Sequence, residues 1–283
     1  MTKTIPGTII IIALIFTVSL IYFSFMSVEP SEVVTTINLG YDLEGTRITF
    51  PDESKYFEKY SFQEDFNGEH FDFVWYLAKP ELSLFYSELR PDDNAIVIVP
   101  IFTSSAYWEP GFYNFYRGEC FECITVPIRH DLPLAFHSSH AAVQIFSILG
   151  YDYITDIEVD KNPEILKKYD KVILLHNEYV TQKEFDAITN HPKVVYLYPN
   201  SLYAQIEVDY EKNTLSLIRG HGYPEKEIDN GFDWKFDNTR PYEFDTNCIN
   251  WKFYEINNGL MLNCYPENIL HQKIDILKKI KEF

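Results

Sequence analysis

Lys171-Val172-Ile173-Leu174-Leu175-His176-Asn177-Glu178-Tyr179-Val180-Thr181-Gln182-Lys183-Glu184 is the stretch that decides the fold. Its apolar run, Val172 to Leu175, reads as a strand buried on both faces, as in parallel sheets. A polar group, His176-Asn177-Glu178, ends it. Thr181 and Glu184 then have the S/T-x-x-E spacing of a capping box, which predicts a helix to about Thr189. Lys193-Val194-Val195-Tyr196-Leu197-Tyr198 is the next strand, closed by Pro199-Asn200-Ser201.

The same alternation runs upstream. Ala95 to Phe102 is a continuous apolar run and predicts a buried strand, followed by an aromatic loop from Tyr107-Trp108 through Tyr113-Asn114-Phe115-Tyr116. Ala135 to Leu149 reads as a helix stopped by Gly150. Tyr151 to Thr155 is a short strand, and Pro163 to Lys168 a short helix with proline in its first turn. Strands and helices alternating over short connections predict a parallel, doubly wound α/β sheet.

Downstream the pattern turns antiparallel. Ile206–Tyr210 and Thr214–Ile218 flank Glu211-Lys212-Asn213, and Ile249–Ile256 and Leu260–Cys264 flank Asn257-Asn258-Gly259, which are hairpin signals. Asn268 to Ile280 predicts a closing amphipathic helix. Before residue 95, Val33–Asn38 and Thr46–Phe50 read as strands, and Phe71–Trp75 and Leu82–Tyr86 as further apolar-aromatic strand runs. The expected organisation is therefore an anchor at 1–28, a β-rich section at 29–94 and the α/β domain with its hairpins and helix at 95–283.

The anchor comes from Thr8 to Met26, nearly all apolar within an uncharged stretch from Thr4 to Val28. Its 19 residues reach roughly 28 Å as a helix, enough for the hydrocarbon core. Lys3 before it and Glu29 and Glu32 after it predict a cytoplasmic N-terminus and an extracytoplasmic body, in a single-pass cell-membrane protein. The alternative is a cleaved signal peptide, but Phe25-Met26-Ser27-Val28-Glu29 lacks a small-x-small cleavage site. Net charge is −18, which disfavours nucleic acid as a partner. A neighbouring membrane or cell-surface protein is the expected partner.

Cys120, Cys123, Cys248 and Cys264 are an even set in an exported chain, which predicts disulfides. Cys248 and Cys264 flank the second hairpin, and Cys120-Phe121-Glu122-Cys123 can close a small loop. Four thiolates at a zinc ion are the alternative.

Ligands of doubly wound sheets bind beyond the carboxyl ends of the strands. Three such ends carry chemistry here: His176-Asn177-Glu178-Tyr179, Pro199-Asn200-Ser201 and the tyrosine-rich loop after Phe102. A carboxylate, an imidazole and phenols suit a metal such as iron, or acid–base catalysis. The plain alternative is that His176 and Glu178 cap the next helix or satisfy buried amides. His137 and His140, three apart at a helix start, read as caps rather than ligands. Arg219-Gly220-His221-Gly222-Tyr223-Pro224-Glu225 reads as a loop from which His221 and Glu225 can reach the crevice. Asn230-Gly231-Phe232-Asp233-Trp234 reads as a turn with aromatic anchors.

Leu149-Gly150-Tyr151 through Ile157, Asn162 to Leu166, Tyr169 to Tyr179 and Val195 to Tyr203 resemble, in order and spacing, the N,N-dimethylformamidase large subunit and its relatives, over about residues 140–205. The resemblance implies a class I glutamine amidotransferase-like, flavodoxin-like α/β fold with antiparallel β additions. In that family the motif glutamate ligates iron together with two tyrosines, and a histidine two positions earlier and a later asparagine stand beside it. This implies Glu178 as ligand, His176 and Asn200 as its polar partners, and Tyr113 of Tyr113-Asn114 as one phenol; Tyr107 and Tyr116 are candidates for the second. The sequence departs from the family at Asn177, where an acid is usual, at Tyr198-Pro199, where two glycines are, and at Val180, where a tryptophan is. No cysteine stands at the Asn200-Ser201 elbow, which excludes glutaminase chemistry, and Ser201 lacks a G-x-S-x-G setting.

Two functions are expected from this. The first is a non-catalytic, membrane-anchored accessory or interaction protein on a degenerate amidotransferase-like fold, needing no cofactor. The second is an iron-dependent amidohydrolase centred on Glu178.

Overall fold

The computed structural model describes residues 47–52, 55–66, 69–130, 139–236, 251–264 and 270–283. The expected anchor, the Val33–Asn38 strand, His137 and Cys248 lie outside the described residues. Among those described, no helix is long and apolar enough to cross a membrane.

Strands β1 (Arg47–Asp52), β2 (Phe57–Phe66) and β3 (Glu69–Ala78) form an antiparallel sheet in that order. The apolar run at Leu82–Tyr86 is not a strand: it enters helix α1 (Ser83–Leu89). A five-residue aromatic run does not distinguish the two, and here Tyr86 and Leu89, three apart, form the buried side while Leu84 is 81% exposed. The Tyr86 hydroxyl accepts from the Lys79 amide and donates to the Tyr56 carbonyl, fixing the turn into the helix.

Strand β4 (Ala95–Val99) is buried at every position. It stops before Pro100, which has no amide to give a ladder, and helix α2 (Ile101–Ala106) replaces the expected strand end and loop. Helix α3 (Phe112–Tyr116) follows, opened by the Asn114 side chain accepting from the Gly111 amide at 2.8 Å. Then come β5 (Thr125–Pro127), α4 (His140–Ile148), β6 (Asp152–Thr155), α5 (Asp156–Lys161) and β7 (Lys171–Leu174). Thr155 and Glu158 cap α5 in the same reciprocal way as Thr181 and Glu184 cap α6 (Gln182–Thr189), which follows β8 (Tyr179–Val180). The chain ends through β9 (Val194–Tyr196), β10 (Ala204–Asp209), β11 (Thr214–Arg219), β12 (Phe253–Ile256), β13 (Gly259–Leu262) and α7 (Ile274–Glu282).

The chain is therefore α/β. The main sheet runs β12-β13-β9-β7-β4-β6, with every pairing parallel except β12 on β13. Among the five parallel strands the spatial order is second, first, third, fourth, fifth in chain order. Ile96, Ile98, Val172, Leu174, Val194 and Tyr196 supply its core. Gly259 allows β13 to lie this close, since a Cβ there would collide with the Val194 carbonyl. A second sheet, β5-β11-β10-β8, has its own core around Phe102, Phe112, Tyr179, Ile206 and Leu217. Buried Lys171 docks the last helix: its Nζ donates to the carbonyls of Ile280 and Lys281 at 3.0 and 3.1 Å and pairs with Asp93 at 3.2 Å. Cations at a helix C-terminus complement its dipole.

Cys120 and Cys123 form a disulfide with a Cα separation of 5.3 Å, which removes both thiolates from any four-cysteine zinc site. The expected Cys248–Cys264 pair is corrected: Cys264 is a buried free thiol, pushed up to about 11 by burial. In the β12–β13 ladder Leu262 faces Phe253, so Cys264 falls toward Trp251.

Candidate functional site

The order of the main sheet reverses between β4 and β7: β6 lies on one side of this pair, and β9 and β13 on the other. Loops leaving the carboxyl ends of two such neighbours diverge and open a crevice. The chain after β4 supplies Thr103, Tyr107 and Tyr113; the chain after β7 supplies His176 and Glu178.

Glu178 is placed by its backbone. The segment from Leu175 to Glu178 carries the chain from the main sheet into β8 of the second, so regular ladder bonds are interrupted there. Side chains replace them. The Thr103 hydroxyl accepts from the amides of Glu178 and Tyr179 at 3.0 and 3.2 Å, and the Ser139 hydroxyl from that of His176 at 2.7 Å. Asn177 accepts from the Leu175 amide through its side chain and from the Leu202 amide through its carbonyl. Each bond satisfies an amide that would otherwise be buried unpaired.

The Glu178 carboxylate, fully buried, gathers four partners. Tyr107 donates its phenol to Oε2 in a short hydrogen bond, and Asn200 donates its amide to the same oxygen at 3.0 Å. His176 Nε2 stands 3.3 Å from Oε2 and 2.8 Å from the Asn200 amide. His221 Nε2 stands 2.5 Å from Oε1. Burial alone would raise the carboxyl's pKa; the hydrogen bonds and charges of His176 and His221 outweigh it and hold it at about 2. The opposite holds for the phenols. Burial, then the Glu178 charge, pushes Tyr107 well above the usual phenol range, and burial raises Tyr116 and Tyr179 likewise.

Around this centre lies a wall of rings. Tyr113 stacks on Tyr107 with centroids 5.0 Å apart, and its hydroxyl reaches the Tyr107 hydroxyl at 3.4 Å. Tyr198 stacks on His176 at 4.8 Å. Glu178, His176, Asn200 and Tyr179 are buried, whereas Tyr107, Tyr113, Tyr116 and His221 are half-buried and form the open side.

Among the sequence candidates, His176, Glu178 and Asn200 come together in one site, with Tyr107 on the carboxylate and Tyr113 one phenol further out. Tyr116 touches Tyr179 and the His221 ring, not Glu178. His221 is in the site, whereas Glu225 is exposed. The glycines of 219–225 make the tight turn their type allows: Gly220, His221 and Gly222 all have positive φ, and the imidazole is aimed inward. His140 bonds Gln144 within its own helix, and the Ser201 hydroxyl donates to the backbone carbonyls of Tyr198 and Leu175. Asn230 accepts from the amides of Phe232 and Trp234, and Phe232 stacks on Phe185, so that turn serves packing. Thr103 had no sequence signal, because its role depends on a backbone segment 75 positions away.

Among the described residues, no three His, Cys, Asp or Glu side chains are arranged to hold a metal ion. A metal here would draw on phenols: Glu178, Tyr107 and Tyr113 bring three oxygen groups into a contiguous chain. Oxygen donors of this kind suit hard cations, iron(III) among them. With no cation, protonated phenols beside a carboxylate are the stable arrangement, and a bound cation reverses that preference. A comparison with protein-family models finds no match for this chain, and a comparison with curated proteins finds none either.

Proposed function

We propose that the Glu178 site is a metal-dependent hydrolytic centre acting on amides, carried by an extracytoplasmic, membrane-anchored domain. The observation that carries this reading is the buried Glu178 carboxylate, met by a phenol, a carboxamide and two imidazoles at the crevice between β4 and β7. An acid in such company is poorly explained by capping: the caps nearby are made by Thr181 and Glu184. The strand order of the main sheet is that of flavodoxin-like folds, whose ligands bind at this switch point. It agrees with the amidotransferase-like fold implied by the resemblance to the N,N-dimethylformamidase large subunit.

Of the departures from that family, Tyr198 takes part in the site by stacking on His176, while Asn177 and Pro199 leave its hydrogen bonds in place. Asn177, in place of an acid, spends its side-chain oxygen on the Leu175 amide and does not contact Glu178 through any hydrogen bond described above. Pro199 precedes Asn200 without displacing its amide from His176 and Glu178.

Glu178, Tyr107 and Tyr113 would hold the ion, which when bound supplies a Lewis acid for an amide carbonyl and for water. His176 and Asn200 keep the carboxylate's Oε2 oriented. His221, on Oε1 and at the open side, is placed to hold or pass a proton at Nε2. The tyrosine rings exclude water from the carboxylate and strengthen every charge interaction in the crevice.

Tyrosinate bound to iron(III) absorbs visible light. Iron-loaded wild type is expected to show that band, and Tyr107→Phe to lose or shift it while remaining folded. An unchanged spectrum in Tyr107→Phe removes the phenol from the metal site.

A second reading, attachment to a neighbouring membrane protein, is favoured by Phe121. Its ring is 78% exposed at the tip of the loop closed by Cys120 and Cys123. Crosslinking in membranes tests it: a partner captured by wild type and lost in Phe121→Ser supports attachment, and equal capture by both contradicts it.

A further inference from the structure

The His221 imidazole does not merely touch Glu178; it fills a box of tyrosines. Its ring centroid lies 4.4 Å from that of Tyr203, 4.9 Å from Tyr116, 5.7 Å from Tyr179 and 6.4 Å from Tyr113. Its Nε2 meets the Glu178 carboxylate at 2.5 Å. Several electron-rich rings around one position, with a carboxylate at the base, is the construction that recognises alkylated ammonium groups. The phenol hydroxyls are engaged among themselves, Tyr116 with Tyr179 and Tyr113 with Tyr107, so the rings meet the occupant chiefly through their π systems and not through hydroxyl hydrogen bonds.

The occupant is also one that can leave. His221 is half-buried, on the open side of the site, and its neighbours in the chain are glycines. Gly220, His221 and Gly222 take φ of 125°, 51° and 72°, a left-handed run in which His221 alone carries a Cβ. Such a residue is held at some conformational cost, which is relieved when the turn rearranges. The turn's base is tied independently: Gly220 and Tyr223 exchange backbone hydrogen bonds, and Arg219 grips Asp233 and the Gly231 carbonyl. His221 can therefore turn out without unravelling β11. Outside, a chain of net charge −18 raises the local concentration of cations.

The geometry points to a second property of this site: it is a receptor for a compact organic cation, an alkylammonium head group, which takes the place of the His221 ring between Tyr116, Tyr179 and Tyr203 and rests its charge on Glu178. This goes beyond the proposed function by assigning the crevice a ligand class of its own. It rests on the reading of the Glu178 crevice as a ligand site, not on the metal.

The test uses the full chain in nonionic detergent, titrated with tetramethylammonium chloride and followed by calorimetry and by the near-ultraviolet dichroism of tyrosine. Sodium chloride at matched ionic strength and tert-butanol, an uncharged molecule of similar shape, are the controls. Tetramethylammonium is expected to bind saturably and tert-butanol not to. His221→Gly, which empties the box and suits the left-handed turn, is expected to bind about tenfold more tightly, because no side chain must first be displaced. Tyr116→Leu and Glu178→Gln are each expected to bind about tenfold more weakly. Absence of saturable binding to folded wild type and folded His221→Gly overturns the proposal, as does equal binding of tert-butanol. Metal content measured on the same preparations separates the two readings: cation binding without metal supports the box and removes the metal, and metal without cation binding overturns the box alone.

Discussion

Nε2 of His221 stands 2.5 Å from Oε1 of Glu178, although 43 positions separate them in the chain. One lies beyond the end of β7 in the main sheet and the other beyond β11 in the second sheet. Their contact ties the two sheets together at the site. A double-mutant cycle measures that tie. His221→Ala leaves one oxygen of a buried carboxylate without its nearest partner and is expected to cost about 2 kcal/mol in urea unfolding. Glu178→Gln is expected to cost a similar amount, and the double variant less than the sum by about 1 kcal/mol or more. Additive effects would mean that the contact contributes nothing to folding.

Thr103 is the least conspicuous residue on which the site depends. Its hydroxyl accepts from two successive buried amides, those of Glu178 and Tyr179. Thr103→Val keeps the shape and removes both bonds. The expected loss is about 2 kcal/mol or more, since each unpaired buried amide carries a desolvation cost. Thr103→Ser retains the hydroxyl and is expected to lose much less. Similar losses for Val and Ser would assign the effect to the methyl group's packing instead.

The capping box that made α6 legible has an electrostatic consequence. Glu184 is fully buried, and burial, then the charges of Asp156 and Asp160, pushes its carboxyl well above the ordinary value of 4.5. Among the described residues its Oε1 has no hydrogen-bond partner. A carboxyl whose folded-state pKa is raised favours folding fully below the unfolded value, and that contribution is lost as pH rises through the folded value. Wild type is therefore expected to lose thermal stability as pH rises above about 4.5. Glu184→Gln, which carries no charge, is expected to melt several degrees higher than wild type at pH 8 and to show little difference at pH 4. A variant that declines with pH as steeply as wild type would place the titration elsewhere, Asp156 first.

How much of this was legible in sequence depended on how local the cause was. Val172–Leu174 and Val194–Tyr196 announce buried strands because burial on both faces needs consecutive apolar residues, and Thr181 with Glu184 announces a helix because the cap is complete within four residues. Ile101–Ala106 was hidden, since Thr103-Ser104-Ser105 has no apolar period and its helix is held by burial from Phe102 to Ala106. Leu82–Tyr86 was misread because a short aromatic run fits either period. Within the site, His176, Glu178 and Asn200 were readable as two strand ends. His221 was readable only as one of two residues able to reach the crevice from the Gly-His-Gly turn; that it, and not Glu225, meets Glu178 depends on how the second sheet stacks.

The most direct test of the central claim is the metal content of the full chain, purified without chelators and measured by elemental analysis beside Glu178→Ala. The account predicts close to one iron, or another hard cation, per wild-type chain, and its loss from the folded variant. Folded wild type without metal, and unable to take up iron(III) on reconstitution, would contradict it.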